Sequence, residues 1–176
     1  MSNDRKRTRH RTVTPLGAAL RGMIAGAAGT AAMDTYWYLR YRAGGGDSGP
    51  LTWEFSAEED WDKVSAPGQV GRRIVEGFTQ RPLAPRWAPL VNNVMHWGYG
   101  IAWGAVYGVA AASLRRPRAA HGLALGPAVW LTGYVLLPLG NLYKPIWEYD
   151  AKTLGVDLGG HLVYGSATGA TFAALV

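Results

Sequence analysis

The chain has 176 residues, a net charge of +6 and no cysteine, so one domain is expected, and disulfides, thiolate nucleophiles and cysteine-based metal sites are excluded. Its mean hydropathy of -0.04 averages two unlike kinds of sequence. Polar residues concentrate in the first eleven positions and between Gly44 and Arg86, whereas the 24 glycines lie largely among apolar residues elsewhere, a pattern typical of membrane helices.

Residues 1–15 form a basic tail in which Arg5, Lys6, Arg7, Arg9 and Arg11 stand against Asp4. Such a tail suits a cytoplasmic anchor, drawn to anionic lipid by about 1 kcal/mol per basic residue. A nucleic-acid arm is the first alternative, but no fold that reads nucleic acid follows it, and no nucleic-acid partner is expected. A cleaved signal peptide ending near Ala25-Gly26-Ala27 is the second. Against it, the apolar run continues into Tyr36, Trp37 and Tyr38, an interfacial aromatic set.

Runs of about 20 apolar residues, the length that crosses a hydrocarbon core of about 30 Å, occur at 16–38, 89–114, 122–143 and 154–176. Residues 16–176 therefore read as a single transmembrane domain. The first run opens on Thr14-Pro15, an N-cap followed by proline at the first helical position. Then comes the long loop 42–86, with the flexible start GGGDSGP, a capping box at Ser56-Ala57-Glu58-Glu59, and a short helix opened by Pro67 whose Val70, Ile74 and Phe78 share a face. Two short amphipathic helices on the outer surface are expected there. The second run carries HWGYGIAWGAVYG from His96, and Arg115, Arg116 and Arg118 follow it. The third contains Pro127 and Pro138, which should kink or end it. The loop NLYKPIWEYDAK after it balances its charges and carries Tyr143, Trp147 and Tyr149, as an interface would. Basic residues in the tail and in the second loop place both on the cytoplasmic side, and the C-terminus with them.

The fourth run, HLVYGSATGATFA from His161, repeats the His-x-x-Tyr-Gly-x-x-x-Gly-Ala-x-aromatic pattern of the second. A fainter echo links RGMIAGAA from Arg21 to HGLALGPA from His121. The expected fold is all-α: a four-helix transmembrane bundle made of two parallel helical-hairpin repeats. Ladders of small residues, Gly22/Gly26/Thr30, Gly100/Gly104/Gly108 and Gly165/Gly169/Ala173, are the expected packing surfaces.

Ionisable residues inside such runs are costly and need a reason. Arg21, near a helix end, can snorkel. Counted along the helices, Asp34, His96 and His161 share one layer about 6–10 Å below the outer surface, with Asn92 and Asn93 one turn above His96. Four readings are open. The histidines can be packing groups bonded to carbonyls; with Asp34 and the asparagines they can form a proton- or ion-handling cluster; Asp34, His96 and His161 can make a two-His-one-carboxylate metal set; or the two histidines can ligate a haem. No motif specific to a cofactor accompanies them, so none is assigned. Catalytic signatures are missing as well: there is no phosphate-binding loop, no Gly-x-Ser-x-Gly and no His-Glu-x-x-His, and Glu148 and Asp150 read as solvated loop carboxylates.

The segment PIWEY leading into a helix marked Gly160-His161-Leu162-Val163, with an earlier helix carrying a histidine among aromatics, resembles the YagU-like family of small bacterial inner-membrane proteins. The resemblance covers about the C-terminal third. It implies four helices in the inner membrane and a loose association with acid tolerance, but no assigned activity. The first loop and the Tyr-Gly after each histidine depart from the family pattern. The functional expectation is non-enzymatic: a small transport or proton-responsive protein with an Asp/His site. The alternative is an accessory or structural subunit of a larger membrane complex, and a metal- or haem-binding membrane protein comes third. The bilayer is the expected partner, with a homo-oligomer or larger assembly as further possibilities.

The orientation is testable in this cysteine-free chain. Ser56→Cys should react with an impermeant thiol reagent in intact cells and Arg116→Cys should not; the opposite labelling pattern would invert the topology.

Overall fold

The structure is a computed structural model that describes residues 13–55, 60–114 and 119–176. The basic tail from Arg5 to Arg11, the Ser56 to Glu59 capping box and the arginines Arg115, Arg116 and Arg118 lie outside the described residues. Six helices account for the fold: α1 (Pro15–Ala43), α2 (Pro50–Phe55), α3 (Ala66–Thr79), α4 (Ala88–Ala112), α5 (Gly122–Leu139) and α6 (Ala151–Leu175). Among the described residues there is no strand.

Local chemistry sets the helix ends. Thr14 caps α1 by accepting from the Gly17 N–H at 3.1 Å, with Pro15 in the first turn. The helix runs past residue 38 to Ala43, where the Gly44 N–H closes on Arg40 O. α5 tolerates Pro127 inside its second turn and stops one residue after Pro138, short of the expected residue 143. Gly140 caps it, and Asn141 turns the chain with φ 53°. Tyr143 is therefore outside α5, its ring 5.3 Å from that of Tyr134. α6 starts before residue 154 because Asp150 is its N-cap, accepting from the Thr153 N–H at 2.9 Å and the Thr153 hydroxyl at 2.6 Å. Asp150 is thus a helix cap rather than a merely solvated carboxylate.

α1 packs along both α4 and α6, and α5 packs along α6. The contact surfaces are backbone. A methyl group built on Gly22 or Gly26 would meet Gly104 O or Gly100 O at 2.3–2.5 Å, and one on Gly104 or Gly108 would strike Gly26 Cα or Ala18 O just as closely. On the other side of the molecule, Gly122 opposes Gly165 and Gly169, and Gly126 opposes the His161 carbonyl. α1 meets α6 at Gly29, where a methyl would hit Thr168 Oγ1 and Tyr164 O. These glycines gather at the end of the molecule that holds the start of α1 and the finish of α6.

Interleaved with them, the interior is a cluster of Ala25, Met33, Tyr107, Ala111, Leu125, Val129, Tyr164 and Phe172. The outer surface is apolar too. Leu20, Ile24, Leu90, Val106 and Leu131 are each more than half exposed, while Thr30 and Thr168 are fully buried and return their hydroxyls to Gly26 O and Tyr164 O. Pro15–Ala43 and Ala119–Leu139 are long and apolar enough to cross a membrane. In α4 and α6 the glycines, histidines and α4 asparagines dilute an otherwise apolar composition.

Of the short helices, α3 opens at Pro67 as expected and α2 is displaced. α2 lies upstream of the capping box, at Pro50–Phe55. α3 docks on α4 through Gly68 and Gly71, whose Cβ positions would press on Asn92, Val91 and Met95, and not through its larger apolar residues. Ile74 is 46% exposed and Phe78 88%. Small residues win because they let α3 lie close, and its polar caps find partners on α4.

Two glycines of α4 separate packing from propensity. Gly98 has open space at its Cβ position and Gly104 faces backbone. Gly98→Ala should gain up to about 1 kcal/mol of helix propensity, whereas Gly104→Ala should force α1 and α4 apart and lower the melting temperature in detergent. Equal effects of the two substitutions would contradict the backbone contact.

Candidate functional site

At the end away from the glycines the helices enclose a cavity of about 1060 Å³ whose lining comes from all six helices. It reaches the surface, for Ile74, Tyr99 and Leu136 line it and are about half exposed. α3 spans part of its mouth. Ser65 Oγ donates to Asn92 Oδ1 at 2.6 Å and the Gly68 N–H donates to the same oxygen at 3.0 Å, fixing one end of α3 to α4. Arg73 donates to the Gly140 carbonyl at the end of α5. α2 is held by Asn93, whose Nδ2 donates to Glu54 O at 3.2 Å, and by Trp97 Nε1, which donates to Glu54 Oε1 at 3.4 Å.

Asp34, His96, His161, Asn92 and Asn93 all line this cavity. Their partners differ from those expected. Among the described residues Asp34 pairs with His96 alone, Oδ1 to Nε2 at 2.8 Å; when the carboxylate is ionised it can only accept, and Nε2 is the donor. His161 takes its acid from its own helix: Nδ1 donates to Asp157 O at 2.9 Å and lies 3.5 Å from Asp157 Oδ1. Asp157 in turn accepts from the Tyr134 hydroxyl at 3.0 Å. The asparagines dock α3 and α2, as above. Shared depth makes Asp34 a candidate neighbour of both histidines, but depth fixes only one coordinate. Which way each side chain faces around its helix decided the rest.

Asp157, Glu54 and Tyr134 are site residues that the sequence reading passed over. The signal for Asp157 was the i, i+4 spacing to His161, which stacks the two on one helix face. The positions match in pairs. Asn92 and Asp157 stand four residues before the two histidines, and Asp34 and Tyr134 stand twelve residues after Gly22 and Gly122. Along α1 and α4 the carboxylate sits on α1, with an amide on α4; along α5 and α6 it sits on α6, with a phenol on α5.

The metal set is not assembled. Among the described residues no three His, Asp or Glu side chains converge to hold an ion, because His161 is engaged with Asp157 and not with Asp34. Two polar atoms are left over instead. Asp34 Oδ2 and Trp130 Nε1 are buried without a hydrogen-bond partner among the described residues, and both residues line the cavity. Comparison with protein-family models, with curated proteins and with solved structures finds no match. The reading of the site rests on its own geometry.

Glu54 reports on the electrostatics. Burial first, and then the negative charge of Asp34, hold its carboxyl above the usual range, against smaller opposing effects of Trp97 and His96. A carboxyl with a raised folded-state pKa contributes stability that is present in acid and lost as pH rises through that pKa. Glu54→Gln should therefore melt higher than the parent at neutral pH and converge with it below about pH 4. A variant less stable than the parent at neutral pH would show that the ionised form is welcome there.

Proposed function

We propose that this is an integral protein of the bacterial cytoplasmic membrane, with α1, α4, α5 and α6 spanning the bilayer as two related hairpins, α1 with α4 and α5 with α6. Its cavity is read as a proton-responsive site of a small non-enzymatic transporter. The observation that carries this reading is the pair of Asp–His contacts, Asp34 with His96 and Asp157 with His161, facing one cavity. Histidine changes charge near neutral pH, and a carboxylate at hydrogen-bond distance makes that change a local switch in hydrogen bonding.

The membrane setting is supported by an apolar exterior with Asp34, His96, Asp157 and His161 turned to the cavity, by the two helices of sufficient length and hydropathy, and by an α4 without any Asp, Glu, Lys or Arg. Apolar outside and polar inside is the arrangement lipid favours. The likeness of the C-terminal third to the YagU-like family points to the same compartment.

An accessory subunit would need a small-residue face free for a partner. The ladders at Gly22, Gly26, Gly100, Gly104, Gly108, Gly165 and Gly169 are turned against helices or side chains of the same chain, which favours the cavity as the working part.

The purified protein in nanodiscs should show a pH transition in tryptophan fluorescence between about pH 5 and 8, since Trp37, Trp53 and Trp130 line the cavity. Asp34→Asn should shift or abolish it. A parent protein whose fluorescence is flat across that range would end the proton-responsive reading.

A further inference from the structure

We propose that the cavity binds an amphiphilic organic cation, an apolar body bearing one ammonium group that docks on Asp34 and one acceptor oxygen that meets Trp130. This rests on the reading of the cavity as the working site and names what it takes.

Size and surface come first. At about 1060 Å³ the cavity is at the upper end of drug-sized sites, which run to about 1,000 Å³. Met33, Trp53, Met95, Val129, Trp130 and Leu137 supply apolar and aromatic wall, so a bare metal or alkali ion would leave most of it uncovered.

Charge then selects the sign. The charged or titratable groups facing the cavity, beyond its tyrosines, are Asp34 from α1, Glu54 from α2, Arg73 from α3, His96 from α4, and Asp157 and His161 from α6. Arg73 is exposed and committed to the Gly140 carbonyl at the rim. With neutral histidines three carboxylates face one guanidinium, and in a low-dielectric enclosure that excess favours a positive guest. The elevation of Glu54 by burial and by Asp34 has the sign expected of a site short of positive charge. A phospholipid brings a phosphate that the same carboxylates repel.

The two unpartnered atoms give the guest its polar pattern. Among the described residues Asp34 Oδ2 is a buried acceptor lacking a donor, and Trp130 Nε1 is a buried donor lacking an acceptor, on different helices around one cavity. Buried polar groups are almost always paired. Both atoms are closed to solvent where they stand, so a turn of each side chain into the cavity is what brings Asp34 Oδ2 to an ammonium N–H and Trp130 Nε1 to a ligand oxygen; aromatic rings of Trp53 and Trp130 offer further favourable surface to a cation.

The full-length protein in phosphatidylcholine nanodiscs provides the test, with dansylhexylamine as the probe and its N-acetylated, uncharged form as the control. The amine should show saturable energy transfer from the cavity tryptophans, and the acetylated form none above empty nanodiscs. Asp34→Asn, checked for an unchanged melting profile, should weaken amine binding by about tenfold, the cost of losing a charged partner in a desolvated site. Glu54→Gln, farther from the docking atom, should weaken it less. Equal binding of the two probes, or undiminished affinity in folded Asp34→Asn or in both variants, overturns the proposal. Amine binding without a pH transition upholds the cation site and removes the proton reading; a pH transition without saturable amine binding overturns the cation site alone.

Discussion

Everything in this molecule depends on backbones that touch. Where Gly22 and Gly26 meet Gly100, Gly104 and Gly108, and where Gly122 meets Gly165 and Gly169, a single added methyl would fall within 2.1–2.5 Å of a carbonyl oxygen or Cα of the facing helix at most of these positions. Such approach brings many weak dispersion contacts and close carbonyl dipoles into play without requiring any hydrophobic driving force between helices. It also concentrates the tight packing at one end. Toward the opposite end the helices leave a space.

That space is where polar chemistry can reside. Tyr164 stands at the boundary, its hydroxyl donating to Gly100 O at 2.6 Å, so that α6 is tied to α4 just below the cavity floor. Above it, Asp34, His96, Asp157 and His161 sit on helices already fixed at their glycine ends, and α2 and α3 are hung over them by the two asparagines of α4. The short helices thus depend on polar side chains, while the long ones depend on the lack of them. α3 could not lie so near α4 with anything larger than Gly68 and Gly71 in the contact.

Much of this was readable in advance, and the failures have physical causes. Apolar runs located the four long helices because burial demands them, but their ends were displaced wherever a single cap decided the matter, as with Asp150 and Thr153 at the start of α6 or Pro138 and Gly140 at the finish of α5. Spacing by four identified the small-residue ladders. Ionisable residues in apolar surroundings drew attention to Asp34, His96 and His161, yet their partners depended on rotation about each helix axis, which counting along the chain does not supply. Asp157 escaped because it lies in the second turn of α6, where a charge looks ordinary, and the seat of α3 on α4 was not legible because its small residues, Gly68 and Gly71, make the contact.

The two acid–imidazole contacts differ in one mechanical respect. Asp157 and His161 ride on a single helical turn, so their separation is set by helix geometry and survives any rigid movement of α6. Asp34 and His96 belong to different helices, whose last close contact, Thr30 against Gly100, lies one turn below the pair. A small splaying of α1 from α4 at the cavity end stretches their 2.8 Å contact beyond hydrogen-bonding range and leaves the other contact unaltered. The molecule therefore carries a strain gauge and its internal reference side by side, one reading helix separation and the other insensitive to it.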